Sequence, residues 1–381
     1  MNTPNIESAQ VVLPCNDPIS ATIDFFTALG FAVRTIMPAD HPRMAVLQGH
    51  GLAIRLEVGA AGPPGRLRLQ TDDAVDAHET TAPNGTVVEF APAHTPLELP
   101  PLVEEFVVTR APADDAGFGE GRAGLRYRDL IPSRLGGRFI ASHILIEDGG
   151  PVHDYVHFHN VRFQMIYCHR GWVNVAYEDQ GEPMLMVEGD CFLQPSTIRH
   201  RVLEASDRMK VIEIGCPAEH ETWADPDTTL PTSVVDHTRG FGADGHRFVF
   251  HQAAGAAWTP SRFAGYETRD TGIGVATDGV AGVRVIRPVH QPQPATTSHT
   301  GEFQFHFVLD GAITLQCDGG EFMRLNEGDS FVVPAKVAYT LSDPTDDAQL
   351  LDVTLPAWSR SQQFEHAAEP LDAFERDRID N

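Results

Sequence analysis

Four side chains in the middle of the chain have the types and the spacing of a metal site. His157 and His159 stand in the run HFH, Gln164 follows shortly after them, and His200 closes the later run GDCFLQPSTIRH. Because alternate side chains of a strand point to the same face, His157 and His159 can reach a single ion. Three imidazoles and an amide oxygen suit Fe(II), Mn(II), Ni(II) or Zn(II). The pattern predicts one divalent transition metal held by these residues.

The same region resembles the cupin family, whose first motif reads H-x-H, an acid and Gly, and whose second reads Gly, Pro and His. The positions that match are Gly150, His157, His159, Gln164, Gly171, Gly189, Pro195 and His200. The family usually has glutamate where this chain has Gln164. Gln164 would be either a weak ligand or the residue that orients a bound water. The resemblance implies a small β-barrel with neutral ligands, so that the metal keeps its full charge and attracts an anionic substrate oxygen.

The second half of the chain repeats the first. FQMIYCHRG (163–171) corresponds to FQFHFVLDG (303–311), and VEGDCFLQP (187–195) corresponds to NEGDSFVVP (326–334). Both copies read as short strands rich in Val, Ile and Phe, separated by Gly and Pro turns, which is typical of a jelly-roll barrel. The repeat therefore indicates two tandem cupin barrels.

The ligand positions are poorly kept in the second copy. The repeat places their equivalents at Thr297, His299, Gln304 and Tyr339, which leaves one imidazole. His306, on the same strand face as Gln304, is a further candidate. We expect a degenerate barrel that serves packing and dimerisation, with a residual pocket for a small effector or sugar as the alternative.

The beginning of the chain has a different pattern. Residues 10–58 read as strand, helix and three strands, and the phrase IDFFTALGF lies in the predicted helix. This order resembles the βαβββ module of the vicinal-oxygen-chelate (glyoxalase and bleomycin-resistance) superfamily, and residues 66–108 read as a shortened second module. That family often has a ligand early in the first strand and a glutamate late in the last. Here Glu57 alone stands near such a position, so we expect no metal in this domain.

The predicted fold class is mainly β: two tandem cupin jelly-roll barrels preceded by a small α+β domain of βαβββ order. The predicted divisions are a glyoxalase-like domain at 1–110, an acidic Gly-rich linker at 111–122, the metal-binding barrel at 123–235, the degenerate barrel at 236–360 and a polar tail at 361–381.

Charge and cysteine content restrict the partners. The formal net charge of -25 disfavours nucleic acid and anionic membranes, which require a positive face. The five cysteines include no C-x-x-C pair, and the amino terminus has no secretory signal. We expect a cytoplasmic homodimer that binds a small-molecule substrate, without a nucleic-acid or membrane partner.

Three functions follow from these patterns. The resemblance favours an Fe(II) dioxygenase that cleaves a C–C bond of a small carbonyl, enol or carboxylate metabolite, because three-histidine iron sites occur in cupin dioxygenases. The resemblance also allows a non-redox enzyme. In some cupins with glutamine among the ligands, the metal is a Lewis acid for an isomerase, lyase or cyclase reaction. The third possibility is a non-catalytic small-molecule-binding protein. No catalytic residue besides the ligands is identified.

Overall fold

The computed structural model describes residues 5–71, 77–93, 96–289, 292 and 294–357, and the backbone of residues 362–364. The chain divides into two compact units, Met1–Pro96 and Leu97–Asn381. Apart from that short backbone segment, the predicted tail at 361–381 lies outside the described residues. Within the described part of the chain, no helix has both the length and the apolar character that crossing a bilayer requires.

The amino-terminal unit forms two small sheets and one helix. Its elements are β1 (Val11–Cys15), α1 (Ser20–Ala28), β2 (Ala32–Met37), β3 (Met44–Gly49), β4 (Leu52–Val58), β5 (Arg66–Thr71), β6 (His78–Thr81) and β7 (Val87–Pro92). The first sheet has the order β1-β4-β3-β2 and the second has the order β5-β7-β6. The predicted order of strand, helix and three strands is present. The likeness to the glyoxalase superfamily stays a prediction.

A single apolar core joins the helix of this unit to its sheets. Phe26 on α1 is fully buried and meets Phe31 edge to face, with ring centroids 5.8 Å apart. Leu13, Ile54 and Leu56 of the parallel pair β1 and β4 belong to the same cluster. The helix therefore covers one face of the first sheet, as its spacing of apolar residues requires.

The first barrel consists of two facing sheets. β8 (Val107–Thr109) precedes them. The strands of the barrel are β9 (Gly119–Glu120), β10 (Arg126–Asp129), β11 (Ile140–Ile146), β12 (Gly150–Pro151), β13 (His157–His159), β14 (Phe163–Arg170), β15 (Trp172–Tyr177), β16 (Met184–Val187), β17 (Cys191–Leu193), β18 (His200–Ala205), β19 (Met209–Cys216) and β20 (Thr222–Ala224). One sheet contains β17-β14-β19-β11-β10-β9, and the other has the order β16-β15-β18-β13-β20 with β12 beside β18.

The second barrel repeats this arrangement. A short hairpin and one strand precede it: β21 (Gly240–Phe241), β22 (His246–Arg247) and β23 (Val249–His251). Its own elements are β24 (Thr259–Pro260), β25 (Tyr266–Asp270), α2 (Ile273–Ala276), β26 (Gly282–Pro288), β27 (Ala295–Ser298), β28 (Phe303–Asp310), β29 (Ala312–Cys317), β30 (Met323–Asn326), β31 (Ser330–Val332), β32 (Tyr339–Ser342), β33 (Gln349–Leu355) and β34 (Gln362–Phe364). Its sheets contain β24-β25-β26-β33-β28-β31 and β30-β29-β32-β27-β34. The predicted mainly β fold with two tandem barrels is confirmed.

Each barrel receives an edge strand from the segment that precedes the other. Val107–Thr109 pairs with Ser330–Val332 of the second barrel, and Val249–His251 pairs with Cys191–Leu193 of the first. The structure therefore differs from the sequence prediction, which assigns residues 107–109 to the amino-terminal domain. The exchange covers backbone groups that would otherwise be unpaired at the edge of each barrel.

The segment predicted as a linker is also an ordered part of the first barrel. Gly119–Glu120 pairs with Arg126 and Tyr127, and a 3-10 turn at Arg122–Gly124 follows it. Ala123 in this turn has a left-handed φ of 54°. The segment at 111–122 has the low hydrophobic content of a linker, yet backbone pairing holds it against the barrel.

The two barrels share one apolar core. Phe139 of the first barrel stacks on Phe303 of the second, with ring centroids 4.1 Å apart. Met165 and Tyr167 on β14 belong to the same buried cluster as Phe305 on β28. One sheet of each barrel therefore faces the partner barrel, and the opposite face of that sheet lines the barrel interior.

A row of hydrogen bonds with a fixed direction crosses this interface. Arg128 Nη2 lies 3.2 Å from His143 Nδ1, His143 Nε2 lies 3.0 Å from His169 Nδ1, and His169 Nε2 lies 3.1 Å from the carbonyl oxygen of Leu309. Because arginine can only donate, His143 accepts at Nδ1 and donates at Nε2, and His169 does the same toward Leu309. Both imidazoles are therefore neutral. Burial lowers the pKa of His143 well below its usual value and that of His169 to about 3.

This row predicts acid sensitivity. The unfolded chain binds a proton at each histidine below about pH 6.5, whereas the folded chain does not, so stability falls as the pH drops from about 6.5 toward 3. The amide in His169→Gln can accept from His143 and donate to Leu309 without binding a proton. We therefore expect the free energy of unfolding of this variant to depend less on pH, by up to about 1.4 kcal/mol per pH unit. Urea unfolding of both proteins between pH 7 and pH 4, without metal, measures the difference. Equal slopes would contradict the assignment.

Candidate metal centre

Strand pairing brings the three predicted histidines together. β13 lies between β18 and β20, and His157 is directly opposite His200 in the antiparallel register. His159 is two residues further along β13 and therefore faces the same side of the sheet. One nitrogen of each ring lies within 4.8 Å of one nitrogen of the other two, and all three side chains are buried. The structure thus brings His157, His159 and His200 to one point.

Hydrogen bonds at Nδ1 fix two of these rings. His157 Nδ1 lies 2.8 Å from the carbonyl oxygen of Tyr155, and His200 Nδ1 lies 3.0 Å from that of Ile198. A carbonyl only accepts, so Nδ1 carries the proton in both rings and Nε2 keeps its lone pair. Metal-binding histidines are oriented in the same way in known sites.

His159 is oriented by side chains from the neighbouring strand. Its Nδ1 lies 3.3 Å from the hydroxyl of Thr222, and its ring is perpendicular to that of His220, with centroids 5.1 Å apart. His220 Nδ1 lies 3.0 Å from the carbonyl oxygen of Pro217. The position of His159 therefore depends on β20 and on the loop before it.

The electrostatic environment keeps the three rings neutral. Burial lowers the pKa of His157, and burial together with the neighbouring histidines lowers the pKa of His159 to about 3 and that of His200 well below its usual value. Metal binding requires unprotonated imidazole. Three neutral rings with two fixed Nε2 lone pairs are therefore a donor set that fits a divalent transition metal.

Gln164 has a partner that the sequence analysis missed. On β14, its Nε2 donates a hydrogen bond of 2.6 Å to Oε1 of Glu213 on β19. A carboxylate only accepts, so the amide nitrogen must face Glu213, and its oxygen is the atom left for a metal or a water. A ligand role for Gln164 stays a prediction. Glu213 could have been found as the one charged residue at an inward position of the apolar run VIEIG.

Arg122 is the second residue that sequence reasoning missed. Its Nη2 lies 3.0 Å from His157 Nε2, and its Nη1 donates to Oδ1 of Asp154. The other oxygen of Asp154 accepts from the backbone N–H of Val202 at 3.0 Å. Asp154 is almost fully buried and therefore holds the guanidinium against the histidines. No signal in the Gly-rich segment around Arg122 indicates this role.

The three histidines line a cavity inside the first barrel. Its walls are mainly aliphatic, with Ile144, Ile146, Ile166, Val173, Val175, Met186, Phe192, Val202, Met209 and Val211. Its polar residues are Arg122, His157, His159, Gln164, Tyr177, Gln194, His200 and Glu213. Arg122 is the only lysine or arginine among these lining residues. Such a cavity suits a small molecule with an apolar body and an oxygen-rich end.

The equivalent positions of the second barrel form a different network. Gln304 Nε2 donates to the hydroxyl of Tyr339 at 2.7 Å and lies 3.0 Å from His306 Nε2. His299 Nε2 donates to the carbonyl oxygen of Val333 at 2.7 Å, and Thr297 is buried. In the described part of the chain, only the triad of the first barrel places three His, Cys, Asp or Glu side chains close enough to share an ion.

Comparison with known proteins supports the fold. Residues 283–354, in the second barrel, match the family model described as "Cupin domain". No curated protein matches the chain. A variant of salicylate 1,2-dioxygenase from Pseudoaminobacter salicylatoxidans in complex with gentisate is 17% identical, with a TM-score of 0.50, over 70% of this chain and 87% of that one.

Two further structures are similar at a lower score. Salicylate 1,2-dioxygenase from the same organism, as gentisate adducts, is 18% identical with a TM-score of 0.49, over 70% of this chain and 86% of that one. A Bacillus subtilis oxalate decarboxylase variant is 12% identical with a TM-score of 0.48, over 65% of this chain and 77% of that one. At identities this low, the likeness of the variant with a TM-score of 0.50 concerns the fold alone and leaves the reaction open.

Removal of a triad imidazole provides the first test of the metal site. We expect His157→Ala and His200→Ala to lose stoichiometric metal and to keep the fold, because the barrel core is hydrophobic. Elemental analysis measures the metal and circular dichroism the fold. His246→Ala, which removes a buried histidine outside the triad, is the matched control. Full metal retention in both triad variants would contradict the assignment.

Gln164→Glu tests the neutral ligand set. A second carboxylate next to Glu213 adds negative charge where a cation would bind, so we expect metal affinity to rise roughly tenfold, which corresponds to about 1.4 kcal/mol. Binding of an anionic probe such as phenylacetate should weaken. Chelator competition and calorimetry measure the two constants, and Gln194→Glu on the cavity wall is the control. If neither constant changes, Gln164 has no role at the metal.

Proposed function

We propose that this protein is a metal-dependent cupin enzyme in which His157, His159 and His200 bind one divalent transition metal and the adjoining cavity binds a small oxygen-rich metabolite. The observation that carries the proposal is the convergence of three buried neutral imidazoles on a cavity with mainly aliphatic walls. A metal held there would supply Lewis acidity and, if it is iron, the capacity to bind dioxygen.

Different residues around the triad would bind the charged and the apolar parts of the substrate. Arg122 supplies a fixed positive charge beside His157 and is the group best suited to a carboxylate of the substrate. The aliphatic walls bury the apolar body of the substrate and exclude water. The buried carboxylate of Asp154 keeps Arg122 at the triad through Nη1, whereas the contact of Nη2 with His157 Nε2 would be exchanged when a metal and an anion bind.

For the reaction, we favour dioxygenation with cleavage of a C–C bond. The ligand set of three neutral histidines is the feature that supports it, since such iron sites occur in cupin dioxygenases. The chain also shares its fold with the salicylate 1,2-dioxygenase variant described above, although that likeness concerns the fold alone.

A non-redox reaction is the second candidate, and the contact between Gln164 and Glu213 favours it. Glu213 supplies a carboxylate on the cavity wall that can exchange a proton with a bound substrate. An isomerase, lyase or cyclase reaction needs this proton transfer and a Lewis acid, without dioxygen.

Metal content and oxygen consumption distinguish these reactions. The protein is reconstituted with Fe(II) under argon and then assayed in aerated buffer with a panel of hydroxy-carboxylates and 1,3-dicarbonyl compounds, while dioxygen uptake is followed with an electrode. We expect uptake that depends on one class of substrate, is equimolar with its consumption, and is absent in His200→Ala. Turnover without dioxygen by the Zn(II) or Mn(II) protein would instead support the non-redox reaction. Tight binding without any turnover would show a binding protein and contradict both.

A further inference from the structure

We propose that Glu213 selects substrates that carry a hydroxyl or enol O–H beside the carboxylate, by accepting a hydrogen bond from that group. The inference rests on the proposed function and names its substrate class: a hydroxy-carboxylate or enol-carboxylate with a compact apolar body. It concerns recognition, because the step proposed is a hydrogen bond and no covalent bond changes.

The contacts of Glu213 leave one oxygen to accept such a bond. Oε1 accepts from Gln164 at 2.6 Å, whereas Oε2 accepts no hydrogen bond from the described residues. No arginine, lysine or histidine of the described chain forms an ion pair with this carboxylate, although the side chain is half-buried and lines the cavity. A carboxylate in an apolar cavity without a cation partner requires a donor.

The acidic residue at the equivalent position of the second barrel, Asp352, has cationic partners. Asp352 on β33 lies opposite His306 on β28, as Glu213 on β19 lies opposite Ile166 on β14. There Arg262 Nη2 donates to Asp352 Oδ1 at 2.6 Å, and His306 Nδ1 lies 3.6 Å from the same oxygen. Asp352 is therefore neutralised by its own barrel, whereas Glu213 keeps its accepting capacity toward the cavity.

The positions of the polar groups define what can bind. Arg122 donates to His157 of the triad. Glu213 accepts from Gln164 on the cavity wall. A molecule with a carboxylate alone satisfies Arg122 and places an unpaired oxygen or an apolar group against Glu213, which is unfavourable. A molecule with an adjacent hydroxyl offers Glu213 a donor as well. A site built to bond a hydroxyl rejects the analogue that lacks it.

The test compares two acids that differ in one hydroxyl. Both enantiomers of mandelate, and phenylacetate as the deoxy analogue, are titrated by calorimetry into the protein reconstituted with Zn(II), which supports no redox turnover. We expect the wild-type protein to bind one mandelate enantiomer at least about tenfold more tightly than phenylacetate, the size of one hydrogen bond to a charged group. In Glu213→Gln, which keeps the shape and can still accept from Gln164, the preference should fall to nearly one.

Two controls separate this inference from the proposed function. Glu204→Gln makes the same change at an exposed residue that does not line the cavity, and its preference should equal that of the wild type. Zinc content of each protein is measured first. A wild-type protein without zinc contradicts the proposed function and this inference with it. A zinc-loaded wild type without preference, or a zinc-loaded Glu213→Gln that keeps the full preference, overturns the role of Glu213 alone.

Discussion

The antiparallel pairing of His157 with His200 is the contact on which the candidate metal centre depends. It joins two strands that are distant in the chain, and its register decides which side chains face the cavity. A slip of one residue between the two strands would leave the two imidazoles on opposite faces of the sheet. The orientation of each ring is set more locally, because the carbonyls that accept from Nδ1 belong to Tyr155 and Ile198, two residues before each histidine.

This division explains how much of the site could be predicted from the sequence. Strand periodicity and motif spacing identify His157, His159 and His200, because the information lies within short segments. Arg122 could not be found in this way, since the pairing of Gly119–Glu120 with the next strand brings it to the triad. Glu213 is an intermediate case: its inward position follows from period two, whereas its contact with Gln164 depends on the neighbouring strand.

The two barrels show that fold and site are encoded separately. Residues 283–354 match a cupin model, although the positions equivalent to the triad are Thr297, His299 and Tyr339. This barrel keeps an amide at Gln304 and an acid at Asp352, and fills its interior with the buried ring of Tyr339. Core packing tolerates such exchanges when volume and patterning are kept, whereas a metal site does not tolerate the loss of two imidazoles. Similarity of fold therefore carries little information on which barrel is chemically competent.

The exchanged strands give the second half of the chain a structural role in the site of the first. Cys191–Leu193 leads directly to the loop that presents His200, and its outer partner is Val249–His251, which precedes the second barrel. Arg269 reinforces this contact by donating to the carbonyl oxygen of Gly189 at 3.1 Å, as Arg128 does to that of Gly328 at 2.8 Å. The first barrel consequently takes an edge strand beside its ligand loop from the segment that leads into the second barrel, and that segment supports the geometry of the triad.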